Sequence, residues 1–189
     1  MEWINAPGSY EITNLTQSNG ATTFDHLSVH ALAKSDFWRK THYGFIRDNG
    51  HFFYTTLNHN FEVTVSVTGN YQTLYDQGGL MIRQNEENWV KLGIEFVDGV
   101  QNVSAVVTRD FSDWSVIRLV DPPSVIHFKL KLKNGSFEVF YSVDGDHYFM
   151  YRTGYLTSEQ VQVGVMCCSP DSETGFDVEF KDFKLVSIE

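Results

Sequence analysis

The chain has 189 residues, a length that suits one domain, residues 1–189, with a sizeable hydrophobic core. Its formal net charge is −10, from 24 acidic and 14 basic residues. This charge opposes binding to nucleic acids or anionic membranes, because both need a cationic protein surface. The aromatic fraction of 15% favours β-strands and leaves rings available for a binding surface.

The first residues, MEWINAPGSYEITN, contain no cationic stretch followed by an apolar one, so they show no signal peptide. No apolar run approaches the length of a membrane span. Cys167 and Cys168 are adjacent and cannot connect distant strands through a disulfide, which favours a reducing compartment. We therefore expect a cytoplasmic protein, or a nucleocytoplasmic one in a eukaryote, that binds neither nucleic acid nor membrane.

Apolar and polar residues alternate in a series of segments along the chain, and each such segment predicts a β-strand. Helical periodicity is not sustained, and there is no internal repeat or linker, so the chain is predicted to be all-β. The segments are FEVTVSVTG from Phe61, GLMIRQ from Gly79, WVKLGIEFV from Trp89, HFKLKL from His127, SFEVFYSV from Ser136, VQVGVM from Val161 and FDVEFKDFKLVSI from Phe176.

Short turn signals connect these segments. Asn49-Gly50 is predicted to join HYGFIRD to HFFYTTL as a hairpin, and Asp98-Gly99 sets Val97 opposite Val100 in the next one. A bulge in the second strand of this later hairpin would exchange its two faces. The predicted buried face carries Val90, Leu92, Ile94, Phe96, Val103, Ala105 and Val107. The opposite face carries Trp89, Lys91, Glu95, Asn102, Ser104 and Thr108, where a purely structural sheet needs neither Lys nor Glu.

Asn134-Gly135 predicts a type I′ turn that sets Lys133 opposite Ser136. One face of this hairpin is then wholly apolar, and Lys131 meets Glu138 across the strands as a favourable charge pair. Asp144-Gly145 marks a further strand just beyond. About a dozen strands in two packed antiparallel sheets fit a jelly roll, whose inward-curving sheet face is the expected ligand surface.

Four stretches of the sequence are distinctive: SDFWRKTHYGFIRDNGHFFY (35–54), YDQGGLMIRQNEENWVKLGIEFVDG (75–99), VVTRDFSDWSV (106–116) and VGVMCCSPDSETGFDVEFKDFKL (163–185). They resemble an uncharacterised family of concanavalin A-like (lectin/glucanase) domains to which the yeast regulator-of-enolase protein belongs. The resemblance implies a two-sheet antiparallel β-sandwich with a concave groove and a link to sugar metabolism; it supplies neither a reaction nor catalytic residues. More distantly, the chain is similar to the sandwich appended to some β-xylosidases.

Eight residues are the predicted ligand-binding set, because rings can stack on sugar C–H faces while polar groups bind hydroxyls. A solvated sheet face is the structural alternative for the set. Arg83 and Glu95 can also pair with each other across strands, in which case they would still rim the groove. Trp38 is expected to pack in the core, and Trp114 to lie in a loop after the Asp98-Gly99 hairpin. The set is His51, Tyr54, Tyr75, Gln77, Arg83, Lys91, Glu95 and Trp114.

A catalytic role is weighed against binding. The Glu-x-Asp-x-x-Glu run of glucanases with this fold is missing, and Glu95 is a lone acid on its strand, with Asp36, Asp48 or Asp76 as conceivable partners. No catalytic residue, cofactor or metal site is therefore assigned. The expected function is a carbohydrate-binding or sugar-metabolism-linked regulatory protein. The alternatives are a carbohydrate-active enzyme (glycoside hydrolase, lyase or epimerase) and an interaction module that regulates a metabolic enzyme.

Overall fold

The computed structural model describes residues 1–18 and 20–189, and every regular element in that part of the chain is a β-strand. No helix in these residues is long and apolar enough to cross a membrane. The strands are β1 (Glu2–Ile4), β2 (Ser9–Thr13), β3 (Thr16–Ser18), β4 (Ala21–Ala31), β5 (Phe37–Arg39), β6 (Ile46–Asp48), β7 (His51–Leu57), β8 (Phe61–Gly69), β9 (Gln77–Asn85), β10 (Asn88–Val97), β11 (Val100–Arg109), β12 (Phe111–Arg118), β13 (Ile126–Lys133), β14 (Ser136–Ser142), β15 (Phe149–Tyr155), β16 (Val161–Cys168) and β17 (Phe176–Ser187).

Two antiparallel sheets form the sandwich. The front sheet has seven strands in the order β1-β7-β16-β9-β10-β11-β12, and the back sheet has eight in the order β15-β14-β13-β8-β17-β4-β2, with β3 paired to β4. Strands β5 and β6 pair only with each other. The prediction of an all-β, two-sheet jelly roll is confirmed; the strands beyond the expected dozen are mostly three-residue pieces.

The registers predicted for the two later hairpins are confirmed. In β10 and β11, Val97 lies opposite Val100 and the pairing runs without a bulge to Trp89 opposite Thr108. In β13 and β14 the pairing starts at Lys133 opposite Ser136. Both residues of each turn have positive φ, 53° and 76° at Asp98-Gly99 and 51° and 80° at Asn134-Gly135, as a type I′ turn requires.

Two predicted local contacts are wrong. Lys131 faces Glu138 on β14, but its ammonium pairs at 3.2 Å with Glu62, its neighbour on β8. The Asn49-Gly50 hairpin does not form, because β6 pairs with β5 while β7 pairs with β1 and β16. Gly50 is needed for close packing instead, since an added Cβ would lie 2.5 Å from both the Phe37 ring and the Cys168 sulfur.

The main core lies between the two sheets, where the inward-facing residues of both sheets interdigitate. Leu92 and Ile94 of β10 are each 1% exposed, and Phe24 stacks on Phe183 with ring centroids 4.7 Å apart. Cys167 belongs to this core, whereas its neighbour Cys168 belongs to a second cluster on the other face of the front sheet. The alternation predicted for β10 is therefore confirmed on its buried side.

The sequence predicts an open outer face on the front sheet, but this face is covered over part of its length. Residues 36–48, which contain β5 and β6 and are called the cap segment below, lie across it. Phe37 of the cap segment meets Trp89 edge to face with ring centroids 6.3 Å apart, Trp38 belongs to the same buried cluster, and Trp89 is fully buried. The rest of this second cluster consists of Phe52, Tyr54, Met81, Val106, Met166 and Cys168.

Candidate functional site

A pocket of about 290 Å³ lies where the cap segment meets the outer face of the front sheet. This volume is near the lower end of the range for small-molecule sites, about 300–1,000 Å³. Four parts of the fold contribute its walls: the cap segment, the loop before β9, the strands β9, β10 and β12, and the loop after β16. The lining residues are Asp36, Trp38, Tyr43, Phe45, Leu74, Tyr75, Gln77, Lys91, Glu95, Trp114, Pro170 and Asp171.

Lys91 is a buried cation in the pocket wall, with only 3% of its surface exposed. Its Nζ donates to the Phe37 carbonyl oxygen at 2.7 Å and to Asp36 Oδ1 at 3.3 Å. Burial alone would lower the pKa of Lys91, but the negative charges of Asp36 and Glu95 outweigh it and raise that pKa above its ordinary value. Lys91 therefore remains an ammonium at neutral pH and cannot serve as a base there.

Glu95 is the second buried ionisable group in the pocket wall, at 6% exposure. Its Oε2 accepts hydrogen bonds from Ser104 Oγ at 2.6 Å and Trp114 Nε1 at 2.8 Å. Among the described residues, no hydrogen bond reaches the other oxygen, Oε1. Burial raises the pKa of Glu95 despite the nearby Lys91 charge. The carboxyl can accept from a ligand when ionised and donate to it when protonated.

Aromatic rings form one continuous side of the pocket. Tyr43 stacks on Phe45 with centroids 5.3 Å apart and meets the edge of Trp38 at 5.9 Å. The Tyr43 and Tyr75 hydroxyls are 3.1 Å apart, and Tyr75 meets Trp114 edge to face at 6.2 Å. Tyr43, Phe45 and Trp114 each keep more than a third of their surface exposed. A ligand in the pocket would therefore meet both ring surfaces and buried charged groups.

Tyr75 has an unusual backbone for a bulky residue, with φ at 68°. Its N–H donates to the Phe96 carbonyl at 2.7 Å, and its own carbonyl accepts from Gln77 Nε2 at 3.1 Å. A left-handed conformation of this kind costs of order 1–3 kcal/mol and persists where surrounding contacts hold it, often at functional sites. The hydrogen bond with Tyr43, together with burial, raises the pKa of Tyr75, so its hydroxyl stays protonated at neutral pH.

Residues 3–188 match the family model described as "Protein of unknown function (DUF1349)". The chain belongs to this family. It is 33% identical over 186 residues to Regulation of enolase protein 1 of Saccharomyces cerevisiae, which covers 98% of this chain and 88% of the yeast protein. The resemblance predicted from the sequence is confirmed.

Two solved structures show how widely the fold of this family member is shared. A crystal structure of a functionally unknown protein from Saccharomyces cerevisiae superposes with a TM-score of 0.85 at 32% identity, covering 100% of this chain and 96% of the yeast chain. A xylan β-1,4-xylosidase from Bacillus halodurans gives a TM-score of 0.70 at 11% identity, covering 97% of this chain and 40% of that enzyme. At that identity, the likeness to part of a glycoside hydrolase shows the fold alone.

The structure brings five of the eight sequence-predicted residues to the pocket of this family member. Trp114 is one of them, although it lies in β12 and not in the loop expected from the sequence. The five are Tyr75, Gln77, Lys91, Glu95 and Trp114.

The other three predicted residues lie away from the pocket, and their hydrogen bonds connect the front sheet to the N-terminal residues, to Leu32 and to the cap segment. His51 is buried; its Nε2 accepts from the Leu32 N–H at 2.9 Å and its Nδ1 donates to the Asn5 carbonyl at 2.6 Å. Burial lowers the pKa of His51, so the ring is neutral. Tyr54 donates to Glu2 Oε1 at 2.8 Å.

Arg83 anchors the cap segment instead of binding in the pocket. Its two terminal nitrogens donate to the two oxygens of Asp48 at 2.5 and 2.9 Å, and Arg83 is buried. The alternative pairing of Arg83 with Glu95 does not form, because Arg83 pairs with Asp48. Asp48, proposed from the sequence as an acid beside Glu95, is occupied by this pair. Asp76, the other distant acid, accepts from Ser169 Oγ at 2.5 Å and from backbone N–H groups.

Sequence reasoning missed most of the walls that lie outside the sheet. Asp36 was considered only as an acid beside Glu95, and Trp38 only as a core residue; the structure gives Trp38 both roles, at 9% exposure. The aromatic run FWRKTHYGF could have indicated the cap segment, because few of its residues alternate as a sheet strand would. The missed residues without any predicted role are Tyr43, Phe45, Leu74, Pro170 and Asp171.

Proposed function

We propose that the chain is a binding protein that holds a carbohydrate, or a similar polyhydroxylated molecule, in the pocket. The observation that carries this proposal is that exposed aromatic rings and buried hydrogen-bonding groups line the same pocket. Rings such as Trp114 offer flat apolar faces to sugar C–H groups, while Lys91, Glu95 and Gln77 lie around the same space. Binding sites for small molecules combine apolar walls with a few convergent polar groups in this way.

The hydrogen-bonding capacity of the pocket suits several hydroxyl groups. Lys91 has three N–H donors, of which two are used by Asp36 and Phe37. Glu95 keeps Oε1 free of hydrogen bonds from the described chain. A ligand hydroxyl can both donate and accept, so one hydroxyl can accept from Lys91 and another can donate to Glu95 Oε1. The yeast relative is named for regulation of enolase, and a protein that responds to a sugar ligand fits a regulatory role.

Thermal shift against a panel of sugars and sugar phosphates tests this proposal. A ligand at a hundred times its Kd stabilises the folded state by about 2.7 kcal/mol, which for this chain length raises the Tm by roughly 5–10 °C. The Trp114→Ala variant should lose most of that shift because it removes a ring from the pocket wall.

Val116→Ala is the matched control for Trp114→Ala. Val116 lies two residues further along β12, on the same face and at a similar exposure of 41%, but outside the pocket. This variant should respond to the ligand like the wild type. If no polyhydroxylated molecule stabilises the wild type, the pocket is not a carbohydrate site.

A second candidate function is an interaction module for a metabolic enzyme. Edge strands β12 and β15 lie side by side, since Arg152 of β15 contacts both Asp113 and Ser115 of β12 at 3.0 Å. Apolar side chains are exposed along both edge strands, which natural proteins usually avoid because an exposed edge can pair with another chain. They are Phe111, Val116, Ile117, Phe149, Met150 and Tyr155.

Mixing the protein with a purified enolase and measuring the complex mass by light scattering tests this second candidate. Ile117→Lys, which places a charge on the exposed edge, should abolish any complex, while Trp114→Ala leaves it intact. A complex that survives Ile117→Lys and is lost in Trp114→Ala would assign the partner surface to the pocket instead.

A further inference from the structure

The charges around the pocket are unbalanced. Three carboxyl groups line it, those of Asp36, Glu95 and Asp171, against the single ammonium of Lys91. Asp36 and Lys91 form an ion pair with each other and cancel locally. In the described part of the chain, neither Glu95 nor Asp171 forms an ion pair. The lining therefore carries more acidic groups than cations, which gives the pocket a negative potential when Glu95 is ionised.

The aromatic side of the pocket adds to this negative potential. The face of an aromatic ring carries negative charge density, and cations bind over such faces within about 6 Å of the ring centre. Phe45 already shows this behaviour on one side, where the guanidinium of Arg47 lies 5.2 Å from its centroid. Arg47 itself does not line the pocket. The rings of Tyr43, Tyr75 and Trp114 border the same space as Glu95.

Glu95 is the decisive group, because it is more than nine-tenths buried yet has one oxygen without a partner in the described chain. Both of its hydrogen bonds converge on Oε2, from Ser104 and Trp114. A buried carboxylate is costly unless an opposite charge or further hydrogen bonds stabilise it. The raised pKa of Glu95 reflects this incomplete compensation. A ligand cation would supply the missing charge, whereas a neutral hydroxyl supplies one hydrogen bond.

We infer that the pocket selects a cationic ligand, a sugar or polyol that carries an ammonium group, with the ammonium bound at Glu95, beside the rings of Tyr75 and Trp114. This inference rests on the proposed function, because it names the ligand class of the same pocket. It excludes anionic sugars as preferred ligands, since a carboxylate or phosphate would meet the unpaired negative charges.

Calorimetric titration with four hexoses of the same ring but different charge tests the inference. D-glucosamine is cationic at pH 6.5, N-acetyl-D-glucosamine and D-glucose are neutral, and D-glucuronate is anionic. Glucosamine should bind at least tenfold more tightly than its N-acetyl derivative. Glucuronate should show the weakest binding. Tetramethylammonium, a cation without hydroxyls, is titrated in parallel.

Variants then locate the selectivity. Glu95→Gln keeps the size of the side chain and an oxygen for Ser104 and Trp114, but removes the charge, so glucosamine and N-acetylglucosamine should bind within about threefold of each other. Asp171→Asn changes an exposed lining residue and should reduce the preference for the cation less than Glu95→Gln. Glu138→Gln is the control, because it makes the same substitution at an exposed position of β14 in the back sheet. It should leave the preference unchanged.

The outcomes separate the inference from the proposed function. Preference for glucosamine that disappears in Glu95→Gln supports both. Equal or tighter binding of neutral or anionic hexoses overturns the inference and leaves the carbohydrate proposal standing. Binding of tetramethylammonium without any hexose supports a cation site and overturns the carbohydrate proposal. Absence of binding by every probe overturns both. If Glu95→Gln fails to fold, the relative affinities of the wild type for the four hexoses, and the loss of cation preference in Asp171→Asn, still test the inference.

Discussion

Replacement of Lys91 by Met should be among the most destabilising single changes in the front sheet. Met has a similar length but no charge, so the substitution leaves the Asp36 carboxylate buried without its ion partner and the Phe37 carbonyl without its donor. Removing one member of a buried pair costs about 3–5 kcal/mol. Since native chains are stable by only about 5–15 kcal/mol, this is a large share of the total.

Thermal unfolding and urea unfolding, both monitored by tryptophan fluorescence, measure the effect of Lys91→Met. At roughly 2–4 °C per kcal/mol for a chain of this length, the Tm should fall by about 6–20 °C. The slope of the unfolding free energy against urea should be unchanged, because the same surface is exposed.

The double variant Lys91→Met/Asp36→Asn is the control for the charge argument. The second substitution replaces the buried carboxylate with a neutral amide, so the double variant should be more stable than the sum of the two single effects predicts, with a coupling of about 1–3 kcal/mol. A cost below about 1 kcal/mol for Lys91→Met, or strictly additive effects, would show that Lys91 is solvated and that the cap segment does not cover it.

Three further predictions test other parts of the fold. His51→Asn should flatten the pH dependence of stability. Burial lowers the pKa of His51 in the folded state, so the unfolded state binds more protons and the wild type loses stability as the pH falls below about 6.5. Urea unfolding of both proteins at pH 7.5 and pH 5.5 measures this difference. Gly79→Ala should abolish soluble expression, because its Cβ would lie 1.9 Å from a backbone oxygen of β10, whereas Gly8→Ala meets only a side-chain methyl at 3.2 Å and should express normally. Arg83→Lys should accelerate amide hydrogen exchange in the cap segment and not in β13 and β14, because a lysine cannot keep the two-point contact with Asp48; uniform acceleration would instead indicate global destabilisation.

The sequence predicted the sheet well because its signals there are local. Asp98-Gly99 fixes one pairing at the turn, and strict alternation then places every side chain of β10, including Leu92 and Glu95, on a definite face. A change of one residue in register would have exposed the apolar set. The prediction therefore needed no knowledge of distant parts of the chain.

The cap segment was not predictable in the same way, because its position depends on contacts with residues distant in sequence. Phe37 packs on Trp89, and Asp48 pairs with Arg83, which is 35 positions away along the chain. Asn49-Gly50 resembles a hairpin turn, yet both of its N–H groups donate to the Asp36 carbonyl within the cap. A sequence typical of a hairpin turn therefore forms hydrogen bonds to Asp36 in the cap segment and does not join β6 to β7 as a hairpin.

Lys91 has an ion partner within the chain, whereas Glu95 accepts hydrogen bonds from neutral donors. This difference arises from strand alternation and from the position of the cap segment together. Strand alternation places both charged groups on the outer face of the front sheet, and the cap segment then covers them unequally. It brings Asp36 to Lys91, so that buried charge is compensated within the chain. Among the described residues, no cation pairs with Glu95, whose two hydrogen bonds come from neutral donors. The free energy that a ligand can recover is therefore concentrated at Glu95, where the nearby Lys91 charge offsets the cost of burial only in part.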